Sequence, residues 1–163
     1  MTSSSERADL LASLRRHRGF LLFTVGGLSD EQARLTPTAS VLCLGGLLRH
    51  VADTEQRWCA FAVGGAAEME KVEVDWASGF AMPEGVTLAD VVAGFEAAAA
   101  GTDALVETLD LDAAHELPKA PWFEPGASWS VRRVFLHLIA EISQHAGHAD
   151  IIRESIDGQK TMG

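Results

Sequence analysis

Apolar residues recur at the spacing of a single helix face in four long segments of the chain. These segments comprise residues 6–25, 41–63, 87–109 and 130–156. In the first, Leu10, Leu14 and Leu21 are separated by four and seven residues, intervals that place side chains on one side of a helix. No segment shows the sustained alternation that is typical of a strand. The pattern predicts an all-α fold, a four-helix bundle with long crossover loops.

Two long connections, residues 66–86 and 110–129, interrupt the helical pattern with prolines and glycines. Connections of this length in a compact domain are more often a lid or the wall of a site than an idle linker. The second predicted helix also contains Gly45-Gly46. Each glycine costs a helix about 1 kcal/mol relative to alanine, so the pair predicts close packing against a neighbouring segment.

Length and composition indicate one globular domain over residues 1–163, with 47% hydrophobic and 22% charged residues. The net charge of −10 argues against a nucleic-acid partner, because a phosphate backbone is bound by dense positive charge. The basic run at residues 15–18 is short, and we expect it to form a solvated helix face. No apolar run is long enough to span a membrane. No signal pattern is visible at the N-terminus, so a cytoplasmic protein is expected.

Residues 137–148, HLIAEISQHAGH, place ionisable side chains on a helix face that is otherwise apolar. Counting about 100° per residue from His137, Glu141 lies at about 40° and His145 at about 80°. His148 lies at about 20° on the same count. Imidazole and carboxylate groups on a buried face are costly unless they are paired, so these side chains require a partner.

The second predicted helix contains one histidine, His50, at the margin of its apolar face. A single histidine in such a position is more often a hydrogen-bonded part of the core, and pairs at i and i+4 are also common as plain hydrogen bonds. Two histidines and a carboxylate on the last helix favour a metal site instead, because helix bundles build such sites from facing helices. Two imidazoles and one carboxylate suit Zn²⁺, Fe²⁺ or Ni²⁺ and leave positions open for water or substrate.

The motif LLRH at residues 47–50, with Glu55 and Trp58, and the later stretch HLIAEISQHAGHADIIRESIDG resemble the DinB-like superfamily, and within it the mini-circle protein group. The resemblance covers nearly the whole chain. It implies an up-down-down-up four-helix bundle, often dimeric, with one divalent metal at one end. Many relatives carry histidine where this chain has Glu141. With a glutamate at this position, the chain resembles the metal-binding domain of mycothiol-dependent maleylpyruvate isomerase.

The resemblance assigns His50, Glu141 and His145 as the metal ligands. His148 is expected beside the metal, supporting a ligand or facing the substrate, with a fourth-ligand role as the alternative. Trp58 is expected to pack in the core, with a place in the site wall as the alternative.

Four further residues have expected structural roles. We expect His137 to pack in the core or to support a ligand, and its place one turn before the glutamate is close enough for a hydrogen bond to it. Cys43 is predicted to be a small buried side chain rather than a ligand. Asp150 and Arg153 are spaced to form a surface or interface ion pair.

Two functions fit these observations. The first is a metal-dependent enzyme that uses a low-molecular-weight thiol such as mycothiol, either to transfer its sulfur to a small electrophile or to isomerise that electrophile. The metal would activate a thiol or water. Zn²⁺ is the favoured metal, and Ni²⁺ or Fe²⁺ are the alternatives. The second is a non-catalytic metal-binding module for a stress response or an interaction.

Overall fold

The computed structural model describes residues 3–76 and 78–162, and this part of the chain is mostly helical. The long helices are α1 (Ser3–Phe23), α3 (Leu44–Gly64), α5 (Leu88–Thr108) and α6 (Val131–Asp157). The short elements are α2 (Asp30–Ala33), α4 (Ala66–Met69), β1 (Ala114–Glu116) and β2 (Ser128–Ser130). The α1 helix packs against α5 and α6, and α3 packs against the same two helices. The all-α class is confirmed, while the up-down-down-up order stays a prediction.

Capping residues determine where the helices begin. Thr87 forms a capping box with Asp90 at the start of α5, and Ser29 forms one with Gln32 at the start of α2. These contacts satisfy backbone N–H groups that the first helical turn leaves without partners. The second long helix begins at Leu44 rather than at the predicted residue 41, because Cys43 is extended and its Sγ accepts a hydrogen bond from the Gly46 N–H.

A two-stranded antiparallel sheet lies within the connection before α6 and was not predicted. Its register pairs Ala114 with Ser130 and His115 with Trp129. Each strand has three residues, too few to produce a recognisable alternation. The pairing places His115 opposite Trp129, two residues before α6.

The core is formed by apolar side chains from all four long helices. Its largest fully buried members are Phe61, Phe95 and Phe135, with leucines of α1 and α3 packed around them. Burying each such side chain contributes about 1.5–3 kcal/mol relative to exposure. None of the helices in the described part of the chain is both long and apolar enough to cross a membrane.

A buried ion pair joins α1 to α3, and it corrects the prediction that residues 15–18 form a solvated face. Arg18 is only 4% exposed, and its Nε and Nη2 donate to the two carboxylate oxygens of Glu55 at 2.9 and 2.6 Å. Its Nη1 donates to Asp103, and the Thr102 hydroxyl donates to Glu55. The prediction fails for Arg18 because a run of charges does not show which of its members faces a neighbouring helix.

The predicted Asp150–Arg153 ion pair is also wrong. Arg153 is 4% exposed, and its Nε donates to Asp157 at 2.9 Å. Its Nη1 donates to the carbonyl oxygen of Thr24, just after α1, at 2.8 Å. Asp150 instead accepts from the Thr161 N–H. Packing of α6 against α1 turns the arginine inward, where an unpaired carbonyl at the end of a helix needs a donor.

The Gly45-Gly46 pair lies against the connection between α3 and α5, which confirms the close packing predicted from the sequence. A Cβ at Gly46 would overlap the carbonyl oxygen of Phe80, and one at Gly45 would overlap the side chain of Met82. Only residues without a side chain allow the backbone at 80–82 to lie this close to α3.

Gly46→Ala is therefore expected to lower the free energy of unfolding by about 2–4 kcal/mol, because the added methyl group meets backbone that cannot rotate away. Gly94→Ala in α5 is the matched control, since a Cβ there has nothing within 4 Å. It should raise stability by about 0.5–1 kcal/mol. Denaturant titration measures both values, and equal stability of the two variants would contradict the close approach.

Arg18→Met is expected to cost about 3–5 kcal/mol, because Glu55 would remain buried without its cation. The double variant Arg18→Met/Glu55→Met should recover most of this loss. Arg16 is exposed, and Arg16→Met should change stability by less than about 0.5 kcal/mol. If denaturant titration shows that Arg18→Met is as stable as Arg16→Met, the ion pair does not stabilise the fold.

Candidate metal centre

Three side chains from two facing helices meet at one point. His50 comes from α3, and Glu141 and His145 come from α6. One ligand atom from each of the three lies within 4.8 Å of the other two. The structure thus brings together the residues that the sequence singled out as a ligand set.

Helix geometry and helix packing both contribute to this arrangement. Glu141 and His145 are four residues apart, so they lie on adjacent turns of one face, with 3.7 Å between Glu141 Oε2 and His145 Nε2. The contact between α3 and α6 supplies the third group. It places the His50 and His145 rings with centroids 4.8 Å apart and nearly perpendicular planes.

The histidines of the cluster are uncharged at neutral pH. Burial, together with the nearby His50 and His148, lowers the pKa of His145 to about 4. Burial and the adjacent Arg49 lower the pKa of His50. A neutral imidazole has the lone pair that coordination requires, so both side chains are in the protonation state of a ligand.

Glu141 is a half-buried carboxylate whose partners carry no charge. Burial raises the pKa of Glu141. Among the described residues, the basic groups within ion-pair distance of its carboxylate are both histidines. His145 Nε2 lies at 3.7 Å and His137 Nε2 at 3.9 Å. Burial also lowers the pKa of His137. Both distances exceed that of a hydrogen bond, so Glu141 is not hydrogen-bonded to either histidine.

The cluster fits a divalent metal in both ligand type and spacing. Ligands of a tetrahedral zinc with bonds of about 2.1 Å are about 3.4 Å apart. Glu141 and His145 are 3.7 Å apart, and all three ligand atoms lie within 4.8 Å of one another. Imidazole nitrogen and carboxylate oxygen together suit Zn²⁺, Ni²⁺ and Fe²⁺. Three protein ligands leave at least one position for water or a substrate atom.

His148 lies against His145 on the side away from Glu141. The two Nδ1 atoms are 3.4 Å apart, which leaves His145 Nε2 facing the carboxylate. One of the two Nδ1 atoms must carry the hydrogen for this contact to be a hydrogen bond. His148 therefore contacts a member of the cluster, as expected of a supporting residue.

Phe80, from the connection between α3 and α5, covers the cluster. Its ring centroid is 4.4 Å from that of His50 and 5.9 Å from that of His145. The length of this connection predicted a site wall but not which residue forms it, because loop residues follow no periodic spacing. Cys43 is buried and its thiol contacts the Phe80 carbonyl oxygen, which confirms its expected burial.

Trp58 belongs to an aromatic group next to the cluster. It stacks on Trp129 with centroids 4.9 Å apart and planes 15° apart, and it meets the edge of His137 at 4.8 Å. It also packs on the core residue Phe61. Trp58 thus packs against the core, and its place in the wall of the site stays a prediction. Trp129 was missed, although the density of aromatic residues at 122–129 could have drawn attention to it.

These observations define a class: a helical protein whose facing helices present two imidazoles and one carboxylate with the spacing of a metal centre. The family model of the mycothiol-S-transferases matches residues 9–158, nearly the whole chain. The chain belongs to this family, which is DinB-like, and the resemblance found in the sequence is confirmed. Neither a curated protein nor a solved structure matches the chain.

Proposed function

We propose that the protein is a metal-dependent thiol transferase that joins a low-molecular-weight thiol, mycothiol, to a small electrophile. Family membership supports the reaction class. The observation that carries the metal requirement is Glu141, a half-buried carboxylate whose ion-pair partners among the described residues are neutral histidines. A divalent cation would supply the positive charge that this group lacks.

The proposed ligands are His50 Nδ1 or Nε2, one Glu141 oxygen and His145 Nε2. Zn²⁺ is the favoured metal, with Ni²⁺ or Fe²⁺ as alternatives. When bound, a divalent metal lowers the pKa of a thiol or water that it coordinates. In the reaction the thiol loses its proton to solvent, its sulfur forms a bond to the electrophilic carbon, and the leaving group departs with the electrons of the broken bond.

The surrounding residues would hold the ligands and limit the access of water. With Nε2 as the ligand atom, His145 would carry its hydrogen on Nδ1, and His148 Nδ1, 3.4 Å away, would accept it. Phe80 packs on both imidazoles and restricts their rotation. The homodimer that the resemblance implies stays part of this proposal, and light scattering of the purified protein tests it.

Protein purified without chelators should contain about one divalent metal per chain. His145→Ala and Glu141→Ala should lose it, because each removes one of three ligands. His148→Ala should retain the metal with about 10–100-fold weaker affinity, the usual cost of removing a hydrogen-bond partner of a ligand. Glu141→His should still bind, since imidazole can occupy the same position.

Elemental analysis and Zn²⁺ titration measure these affinities. Leu136→Ala, at an exposed position on the same helix, is the control and should bind as the unaltered protein does. Full metal occupancy in His145→Ala would remove the proposed site. Loss of metal in His148→Ala but not in Glu141→Ala would reverse the assignment of these two residues.

Zn²⁺-loaded protein is expected to accelerate the reaction of mycothiol with 1-chloro-2,4-dinitrobenzene, releasing chloride and forming a carbon–sulfur bond. Metal-free protein and His145→Ala should react at the uncatalysed rate, and glutathione should replace mycothiol poorly. The absorbance of the thioether product measures the rate. Equal rates with loaded and metal-free protein would favour the non-catalytic metal-binding function instead.

A further inference from the structure

A second feature lies beside the cluster, on the same side of α3. A cavity of about 240 Å³ is bounded by Thr54, Arg57 and Trp58 of α3 and by the two long connections. Pockets that hold a drug-sized ligand are usually about 300–1,000 Å³. A cavity of this volume therefore suits one or two rings of a ligand rather than a large molecule.

All four tryptophans of the chain converge at this cavity. Trp58, Trp76 and Trp122 line it, and Trp129 stacks on Trp58 from behind. Trp76 is 62% exposed and Trp122 is 77% exposed. Single exposed apolar residues are common, but two exposed indoles that line one cavity present apolar surface that a ligand would cover.

Arg57 gives the cavity a positive charge in a chain whose net charge is −10. Its Nη1 donates to the Val72 carbonyl oxygen at 2.9 Å, and its guanidinium carbon lies 5.4 Å from the centre of the Trp76 ring. These two contacts hold the guanidinium at the cavity. A guanidinium has five N–H donors, so it can bind a carboxylate while keeping both contacts.

The cavity lies along α3 from the candidate metal centre. Thr54 and Trp58 follow His50 by four and eight residues, about 6 and 12 Å along the helix axis. Trp58 also touches His137, whose Nε2 is 3.9 Å from Glu141. A ligand with its ring in the cavity would be within reach of the metal centre through a short chain or a second ring.

We infer that this cavity binds a flat apolar group carrying a carboxylate, and that it holds the electrophilic substrate of the proposed transferase. Indole faces stack on planar rings, and Arg57 pairs with the acid. A polyhydroxylated ligand would need many acceptors as well as donors, and the side chains of the lining offer one oxygen acceptor, the Thr54 hydroxyl, beside the N–H groups of Arg57 and the indoles. The second part of the inference rests on the proposed function, whereas the first does not.

Equilibrium dialysis of metal-free protein against 2-naphthoate tests the ligand class, with 2-naphthamide as the neutral counterpart. Trp122→Ala should weaken the binding of both compounds by about three- to tenfold, because it removes one stacking face. Arg57→Gln should weaken the binding of 2-naphthoate by about tenfold and leave the binding of 2-naphthamide nearly unchanged. Ile151→Ala, 62% exposed on α6, is the control and should have no effect.

Absence of 2-naphthoate binding, or equal binding by the unaltered protein and Trp122→Ala, would overturn the inference. Equal weakening of acid and amide in Arg57→Gln would overturn the role of charge. Because the dialysis uses metal-free protein, failure of the metal centre does not alter its outcome.

The assignment to the electrophile is tested with loaded protein and 1-chloro-2,4-dinitrobenzene. 2-Naphthoate should compete with the electrophile and not with the thiol. Competition with the thiol would overturn this assignment. Dialysis binding without any catalysed transfer would overturn the proposed function and the electrophile assignment while leaving the ligand class supported.

Discussion

The connection between α3 and α5 can lie on α3 only because residues 45 and 46 have no side chains. The Phe80 carbonyl oxygen and the Met82 side chain occupy the space that two Cβ atoms would take. The thiol of Cys43 contacts the same carbonyl, and Arg49 reaches Ser78. This close approach places the Phe80 ring on His50, so the wall of the candidate metal centre depends on it.

The same connection forms one side of the aromatic cavity. It places Trp76 at the mouth of the cavity, and its Val72 carbonyl oxygen accepts a hydrogen bond from Arg57. The two exposed indoles come from different connections, one before α5 and one before α6, and neither faces the cavity by helix geometry. The two connections are far apart in the sequence, and they form one cavity because both contact α3.

Glu55 and Glu141 differ in how their charge is compensated. Glu55 is 1% exposed and receives two hydrogen bonds from Arg18 and one from Thr102. Glu141 is half-buried between two neutral histidines. A buried charge is stable only with a partner. The chain supplies that partner for Glu55, and we propose that a metal supplies it for Glu141.

The sequence alone determined the helical segments and most of the candidate ligand set. Periodic leucines and capping residues such as Thr87 act within one or two turns, so they predict helices without knowledge of the fold. The i, i+4 spacing places Glu141 beside His145 in any helix. Helix bundles build metal sites from facing helices, which indicated His50. The family resemblance then favoured Glu141 and His145 over His148, and the structure brings the three residues to one point.

Tertiary structure decided which charged residues are buried and which loop residues face the site. Arg18 and Arg153 turn inward because neighbouring helices offer a carboxylate or a carbonyl oxygen. Phe80 and Trp129 reach the site because a connection packs on α3 and a short strand pair forms. These contacts join residues far apart in the chain, and no local spacing encodes them. A residue's helix face follows from its neighbours in sequence, whereas its partner follows from how the helices pack.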